Sequence, residues 1–223
     1  MESKMADLVD VHHSQYSHWE KTYLDNPKMY GEQPSLAGVY ATQRFIESGL
    51  YEILELGSGQ GRDTLPMLEA GLRVSALDYS SVGLRAIAEE ASTAKLSDRL
   101  ITLTHDICDP LHFEDESFGG CFSHMLFCMA LSTAELIGAM AEVRRVLRPG
   151  GICIYTVRHV GDAHFGAGTD LGDGIYENGG FAVHFFDRSL VERLAEGFEL
   201  EEVSLFEEGA LPRRLWRITM RRL

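Results

Sequence analysis

Three glycines stand on alternate positions in Glu55-Leu56-Gly57-Ser58-Gly59-Gln60-Gly61, directly after the apolar run Ile53-Leu54-Glu55-Leu56. Glycine costs backbone entropy, so this density implies positive φ angles or the close approach of another group. The residues after the turn, Arg62 to Ala70, resume as a helix whose first turn must hold Pro66. A strand, a glycine turn and a helix N-terminus together make a nucleotide-binding corner. A dinucleotide fingerprint reads G-x-G-x-x-G and seats a pyrophosphate beneath its third glycine. Here the spacing is G-x-G-x-G with Glu55 beside it, and a carboxylate there disfavours a pyrophosphate. An uncharged or zwitterionic ligand tail suits the turn better, which argues against a nicotinamide-dependent reductase.

Two further acids fall at strand ends. Asp78 closes Arg73-Val74-Ser75-Ala76-Leu77-Asp78, where a carboxylate can accept from ribose hydroxyls. Asp106 follows Leu100–Thr104, where it can accept from an adenine amino group. Plain structural roles stand beside these: Asp78 as a turn residue, Asp106 as a cap before Asp109-Pro110, Glu55 as an acceptor of backbone amides. Cys121, His124 and Cys128 fall close together but offer three ligands where structural zinc takes four, so no metal site is expected.

Strands and helices must alternate to position these groups. The pattern predicts a helix over Leu36–Ser48, a strand over Glu52–Leu56, the glycine turn, and a helix through Ala70. Arg73–Asp78 is the second strand, and Ser80 or Ser81 caps a helix to about Ala94. Leu100–Thr104 and Gly120–His124 follow as strands. Ser132 or Thr133 then caps an amphipathic helix to Leu147, with Leu136, Ile137, Met140, Val143 and Leu147 on one stripe. Ile152–Val157 is strand five and Ser189–Ala195 a helix. Glu199–Phe206 and Leu215–Met220 alternate as a terminal antiparallel pair. Such alternation gives a doubly wound, mostly parallel α/β sheet in a single domain over residues 1–223.

The 223 residues are 45% hydrophobic, enough for one full core, and carry a formal net charge of −14. An acidic surface repels phosphate backbones, so nucleic acid is not an expected partner. The six glutamates of Glu196–Glu208 face the five arginines of Arg213–Arg222 in sequence, as in neighbouring strands pairing charge. Four cysteines without a CxxC, together with the absence of a leader or membrane-length apolar run, point to the cytoplasm and away from membranes.

Through ELGSGQG, ALDYS, THDI and LRPGG, in that order from Ile53 to Val157, the chain resembles the class I S-adenosylmethionine-dependent methyltransferases. The resemblance implies a Rossmann-like methyltransferase fold with a mostly parallel seven-stranded sheet and S-adenosylmethionine as cofactor. It implies that Glu55, Gly57, Ser58, Gly59 and Gly61 surround the methionine part and that Asp78 and Tyr79 hold the ribose. Asp106 and Ile107 would read adenine, with Ser123 close by. One departure shows at strand four, where Phe118-Gly119 replaces the acid common in the family.

Trp19-Glu20-Lys21-Thr22-Tyr23 and Tyr30-Gly31, with Glu207 to Arg217, look similar to the tellurite-resistance-type and thiol or thiopurine branch. That likeness favours a small-molecule acceptor, a thiol or another soft heteroatom. It also points to residues 1–35 as a cover over the cofactor through Tyr23 and Tyr30, with a tail, an oligomer contact or core packing of Trp19 as the plainer readings. An oxygen, nitrogen or carbon acceptor remains open, as does a non-enzymatic sensor that binds the cofactor. Substrate-side candidates are His124, Arg158 and His184, the last two bounding the glycine-rich segment 158–187, which reads either as a long loop forming a mobile cover or as glycine turns with His184-Phe185-Phe186 opening a helix's hydrophobic anchor. The oligomeric state is not fixed by these features.

Overall fold

The computed structural model describes residues 15–26, 29, 31, 33–209 and 213–223. Tyr30, residues 1–14 of the expected cover and residues 210–212 lie outside them. After a helix over residues 15–25, here α1, the chain runs α2 (Leu36–Glu47), β1 (Glu52–Leu56), α3 (Thr64–Glu69), β2 (Arg73–Asp78), α4 (Ser81–Thr93) and β3 (Leu100–Thr104). Then come β4 (Phe118–His124), α5 (Thr133–Val146), β5 (Leu147–Arg158), β6 (Thr169–Gly172), β7 (Ile175–Asn178) and β8 (Phe181–His184). The chain ends with α6 (Arg188–Leu194), β9 (Phe198–Glu208) and β10 (Arg213–Arg222).

The main sheet has seven strands in the order β3-β2-β1-β4-β5-β10-β9. β1 to β5 pair in parallel, and β10 lies antiparallel between β5 and β9. Side chains alternate along each strand, and the alternation divides the core in two. Leu54, Leu56, Cys121, Cys153 and Tyr155 face α5 and α6, while Ile53, Val74, Ala76, Phe122 and Ile154 face α2, α3 and α4. Each fully buried Leu, Ile, Val or Phe contributes about 1.5–3 kcal/mol, so both layers are needed to hold the sheet.

Helix starts follow capping chemistry. Ser132 and Glu135 form a reciprocal capping box at α5, and Ser80 caps α4 through the Gly83 amide. At α3, Asp63 makes no cap because its carboxylate accepts from the amide and hydroxyl of Ser35, the cap of α2. The glutamates of β9 and arginines of β10 pair charge across the hairpin as expected, at Arg214–Glu207, Arg217–Glu202 and Arg221–Glu201, and a bulge between Thr219 and Met220 shifts the register. Among the described residues no helix is long and apolar enough to cross a membrane.

Two expectations need correction. Residues 158–187 are not a structureless loop: β6, β7 and β8 form their own antiparallel sheet, with positive-φ glycines at the ends of its short strands. Frequent glycines hid the strand alternation. The segment over 15–25, in which no regular element was foreseen, is helical and buries Tyr23.

Candidate functional site

β1 is flanked by β2 on one side and β4 on the other, so connections leave it in opposite directions and a crevice opens beyond its carboxyl end. A cavity of about 780 Å³ lies there. Its floor is the glycine turn. Gly57, Gly59 and Gly61 all take positive φ, at 73°, 54° and 84°. A Cβ on Gly59 would lie 2.9 Å from the Tyr23 hydroxyl, and one on Gly61 2.8 Å from Ile87 Cγ1. The alternate spacing thus serves a left-handed turn held between α1 and α4.

Two carboxylates lie behind this turn. Glu55 is 3% exposed and accepts from the Thr64 hydroxyl at 2.6 Å. Burial pushes its pKa up to about 8, opposed by the Thr64 bond and reinforced by Asp63 and Asp78. Asp78 accepts from the Gly59 amide on one oxygen and the Ser80 amide on the other, each at 2.8 Å. Burial raises its pKa to about 6 against those two bonds. Each carboxylate oxygen carries two acceptor sites, so tying the turn to α4 leaves Asp78 able to accept more.

α1 roofs the cavity. Trp19 lies 5.4 Å from the Tyr23 ring and 5.7 Å from Phe181 of β8, and Glu20 accepts from the Ser81 amide at the start of α4. Gln60 of the turn donates to the carbonyls of Tyr23 and Asn26 and accepts from the Met29 amide.

The far wall is built where β4, β5 and β9 end and β10 begins. His124 Nδ1 lies 2.8 Å from Thr156 Oγ1, and Nε2 lies 3.3 Å from Glu208. The other oxygen of Glu208 accepts from Arg62 at 2.8 Å. The His124 bond and the Arg62 charge hold the Glu208 carboxyl well below the usual carboxylate range. Met125, one residue on, takes a φ of 65° and donates its amide to Thr156 Oγ1 at 3.0 Å. Arg158, Arg213, Met129 and Val183 complete this wall.

Of the residues singled out in the sequence, Glu55, Gly57, Ser58, Gly59, Gly61, Asp78, Tyr79, Tyr23, His124 and Arg158 line the cavity. Asp106 and Ile107 do not. They border a separate void of about 10 Å³ with Gln15, Tyr79 and Leu126, and Tyr16 lies 5.4 Å from the Tyr79 ring between α1 and the turn after β2. Ser123 is fully buried and also off the cavity. His184 is a core residue: 2% exposed, bonded through Nδ1 to the Leu131 carbonyl at 2.7 Å and packed on Phe186. Burial lowers its pKa. Gln60, Arg62, Glu208 and Arg213 went unnoticed in the sequence. The last two belong to charge runs that read as solvated strand faces, and only the hairpin's position brings its end to the cavity.

Residues 53–151 match the methyltransferase domain family. The match runs from β1 into β5, a little under half of the chain. With the class I methyltransferase fold it supports an S-adenosylmethionine-dependent enzyme. A 1,6-didemethyltoxoflavin-N1-methyltransferase from Burkholderia thailandensis, solved with S-adenosylhomocysteine, is similar at 18% identity, covering 96% of this chain and 89% of that one with a TM-score of 0.73. The CcbJ methyltransferase from Streptomyces caelestis is similar at 18% identity over 91% and 95% of the two chains, TM-score 0.70. The N-methyltransferase NodS from Bradyrhizobium japonicum WM9, in complex with S-adenosylhomocysteine, gives 13% identity over 93% and 97%, TM-score 0.68. Among curated proteins no match was found.

The cavity suits the cofactor of this methyltransferase class on its own chemistry. Ser58 Oγ is buried without a hydrogen-bond partner among the described residues, and the Glu55 and Asp78 carboxyl groups offer acceptors behind the turn, as ribose hydroxyls and a methionine tail need.

Proposed function

We propose that this methyltransferase transfers the methyl group of S-adenosylmethionine to a small molecule, with a thiol or other soft heteroatom as acceptor. One observation carries the proposal: a single cavity joins the glycine turn, at one end, to a wall of Met125, Met129, Phe181 and His124 at the other. Its volume suits a cofactor and a small partner, not a polymer. The net charge of −14 disfavours nucleic acid, and four free thiols suit a reducing cytoplasm.

In this proposal Gly57–Gly61, Ser58 and Glu55 hold the methionine end and Asp78 with Tyr79 the ribose. Trp19 and Tyr23 close the site from above as a cover. Asp106 and Ile107 would reach the adenine only if Gln15 and Tyr16 gave way. When bound, S-adenosylmethionine supplies an electrophilic methyl group with a good leaving group already attached.

The chain's own contribution is alignment and exclusion of water. Orienting two reactants can supply about 7–11 kcal/mol of a barrier. His124 faces the Thr156 hydroxyl through Nδ1 at 2.8 Å and Glu208 through Nε2 at 3.3 Å, so its ring is turned toward these groups rather than offered as a base to the acceptor. This favours an acceptor that ionises unaided, as a thiol does, over an alcohol. His124 then acts as a positioning residue that ties β4 to β5 and β9.

The two similar N-methyltransferases keep nitrogen acceptors as a second reading. Incubation with thiophenol, aniline and phenol, each with methyl-labelled cofactor, separates the readings. Label in thiophenol alone is expected. Label in aniline or phenol alone would overturn the soft-acceptor assignment, and label in none would overturn the acceptor class.

A further inference from the structure

Arg158 ends β5 at the rim of the cavity, and its side chain is only 11% exposed. Such a guanidinium needs a fixed counter-charge, and Asp162, with a fully buried side chain, provides it. Asp162 accepts from Arg158 Nε at 3.2 Å and from Nη2, from the His164 amide at 2.8 Å and from the Arg214 amide at 2.8 Å. Burial would raise its carboxyl, but these bonds bring it down to about 2. Phe185 packs under the guanidinium, whose carbon lies 5.1 Å from the ring centroid. His164 takes a second contact with Nη2 at 2.8 Å. Nη1 alone has no partner among the described residues. The arrangement fixes the arginine while leaving one donor edge uncommitted.

A second guanidinium stands beside it. Leu215 is the register partner of Arg158 across β5 and β10, so Arg213, two residues earlier, shares its face of the sheet as a diagonal neighbour. Arg213 lines the same cavity. Its own register partner is Glu208, yet Glu208 is already held by Arg62 and His124. Arg213 is thus left without a hydrogen bond or ion pair among the described residues. Next to both arginines the wall is apolar, with Met125, Met129, Val183 and Phe181. Of the acids that line the cavity, Glu208 stands opposite Arg213 but is held by Arg62 and His124, while Glu55 and Asp78 lie behind the glycine turn.

We infer that Arg158 and Arg213 form an anion-binding corner, and that the acceptor is a small aromatic acid whose carboxylate sits there with its ring against the methionines. The inference rests on the small-molecule methyl transfer proposed above and names the acceptor's class. Arginine edges match a planar carboxylate through paired N–H donors, and such charge-assisted bonds are roughly twice as strong as neutral ones. The carboxylate would anchor the ring so that its nucleophilic atom points toward the glycine-turn end.

The test compares acids with their neutral amides: benzoate with benzamide, phenylacetate with phenylacetamide, nicotinate with nicotinamide. Each is titrated by ligand-observed NMR against the full chain, with and without S-adenosylhomocysteine. The expected result is at least one pair in which the acid binds about tenfold tighter. That preference should fall to within about twofold in Arg213→Gln and Arg158→Gln. S-adenosylhomocysteine affinity reports whether each variant is folded, and Arg213, which has no bonds to lose, decides alone if Arg158→Gln does not fold. Equal binding of every pair, or a preference that survives in either folded variant, would overturn the corner. Failure of S-adenosylhomocysteine to bind would count against the methyl-transfer proposal instead, since the acid–amide comparison without it is still read.

Discussion

Glu55 is neutral in most molecules at pH 7, because burial holds its pKa near 8. A carboxyl whose folded pKa lies above its unfolded one contributes stability that is full below the unfolded value. That stability is lost as pH rises through the folded value. Asp78, raised to about 6, acts in the same direction. Thermal melts of the free protein should therefore fall from pH 5 to pH 9, and Glu55→Gln should flatten that fall by about 5 °C or more. Parallel profiles for the two proteins would mean that Glu55 ionises freely. Asp78→Ala should do two things. Removing the acceptor of the Gly59 and Ser80 amides costs about 1–3 kcal/mol of stability, and cofactor affinity should drop at least about tenfold. A folded variant with unchanged S-adenosylhomocysteine affinity would leave Asp78 a turn residue only. Both acids stood out in the sequence, Glu55 beside the glycine turn and Asp78 at the end of β2, and both line the cavity. Ser123, named through the resemblance, and His184, named from its place beside the glycine-rich segment, are buried off the cavity, because sequence position near a strand end does not show which face of the sheet a side chain takes.

At the scale of elements, the order of strands and helices from β1 to β5 followed from periodicity and capping residues, within a few residues at each end. Ser80 or Ser81 and Ser132 or Thr133 marked two helix starts, and Ser80 and Ser132 are the caps. The failures came where local pattern is weak. Seven-residue α6 was visible, but β6 to β8 are four residues each, too short for alternation to register among glycines. α1 was missed because its buried face is Gln15 and Tyr23, not an aliphatic stripe. The glycine turn is the element most sensitive to change. Gly61→Ala should cost about 1–3 kcal/mol through its positive φ and the contact with Ile87, and should lower cofactor affinity with it. Denaturant unfolding and a cofactor titration on the same variant measure both, and a neutral outcome in each would show that the turn tolerates a side chain. The β9–β10 charge pairs behave otherwise. Arg214 and Glu207 are each about half exposed, so Arg214→Ala should lose less than about 1 kcal/mol through that pair.

Across the whole molecule, α1 is attached to three separate parts of the site: the glycine turn through Gln60, the start of α4 through Glu20, and β8 through Trp19 and Gln15. No sequence pattern shows such bridging, since it depends on where the chain returns. Removing residues 1–26 should leave the seven-stranded sheet cooperative in its unfolding yet abolish methyl transfer, because the roof that excludes water would be gone. Turnover within a few-fold of the full chain would make α1 a packing element only. Calorimetry of the full chain with S-adenosylhomocysteine and, separately, with a nicotinamide dinucleotide is the most direct measurement of what the cavity holds. Binding of S-adenosylhomocysteine in the micromolar range, about −8 kcal/mol, with no heat from the dinucleotide, is the expected result. Tight dinucleotide binding with no response to S-adenosylhomocysteine would contradict it.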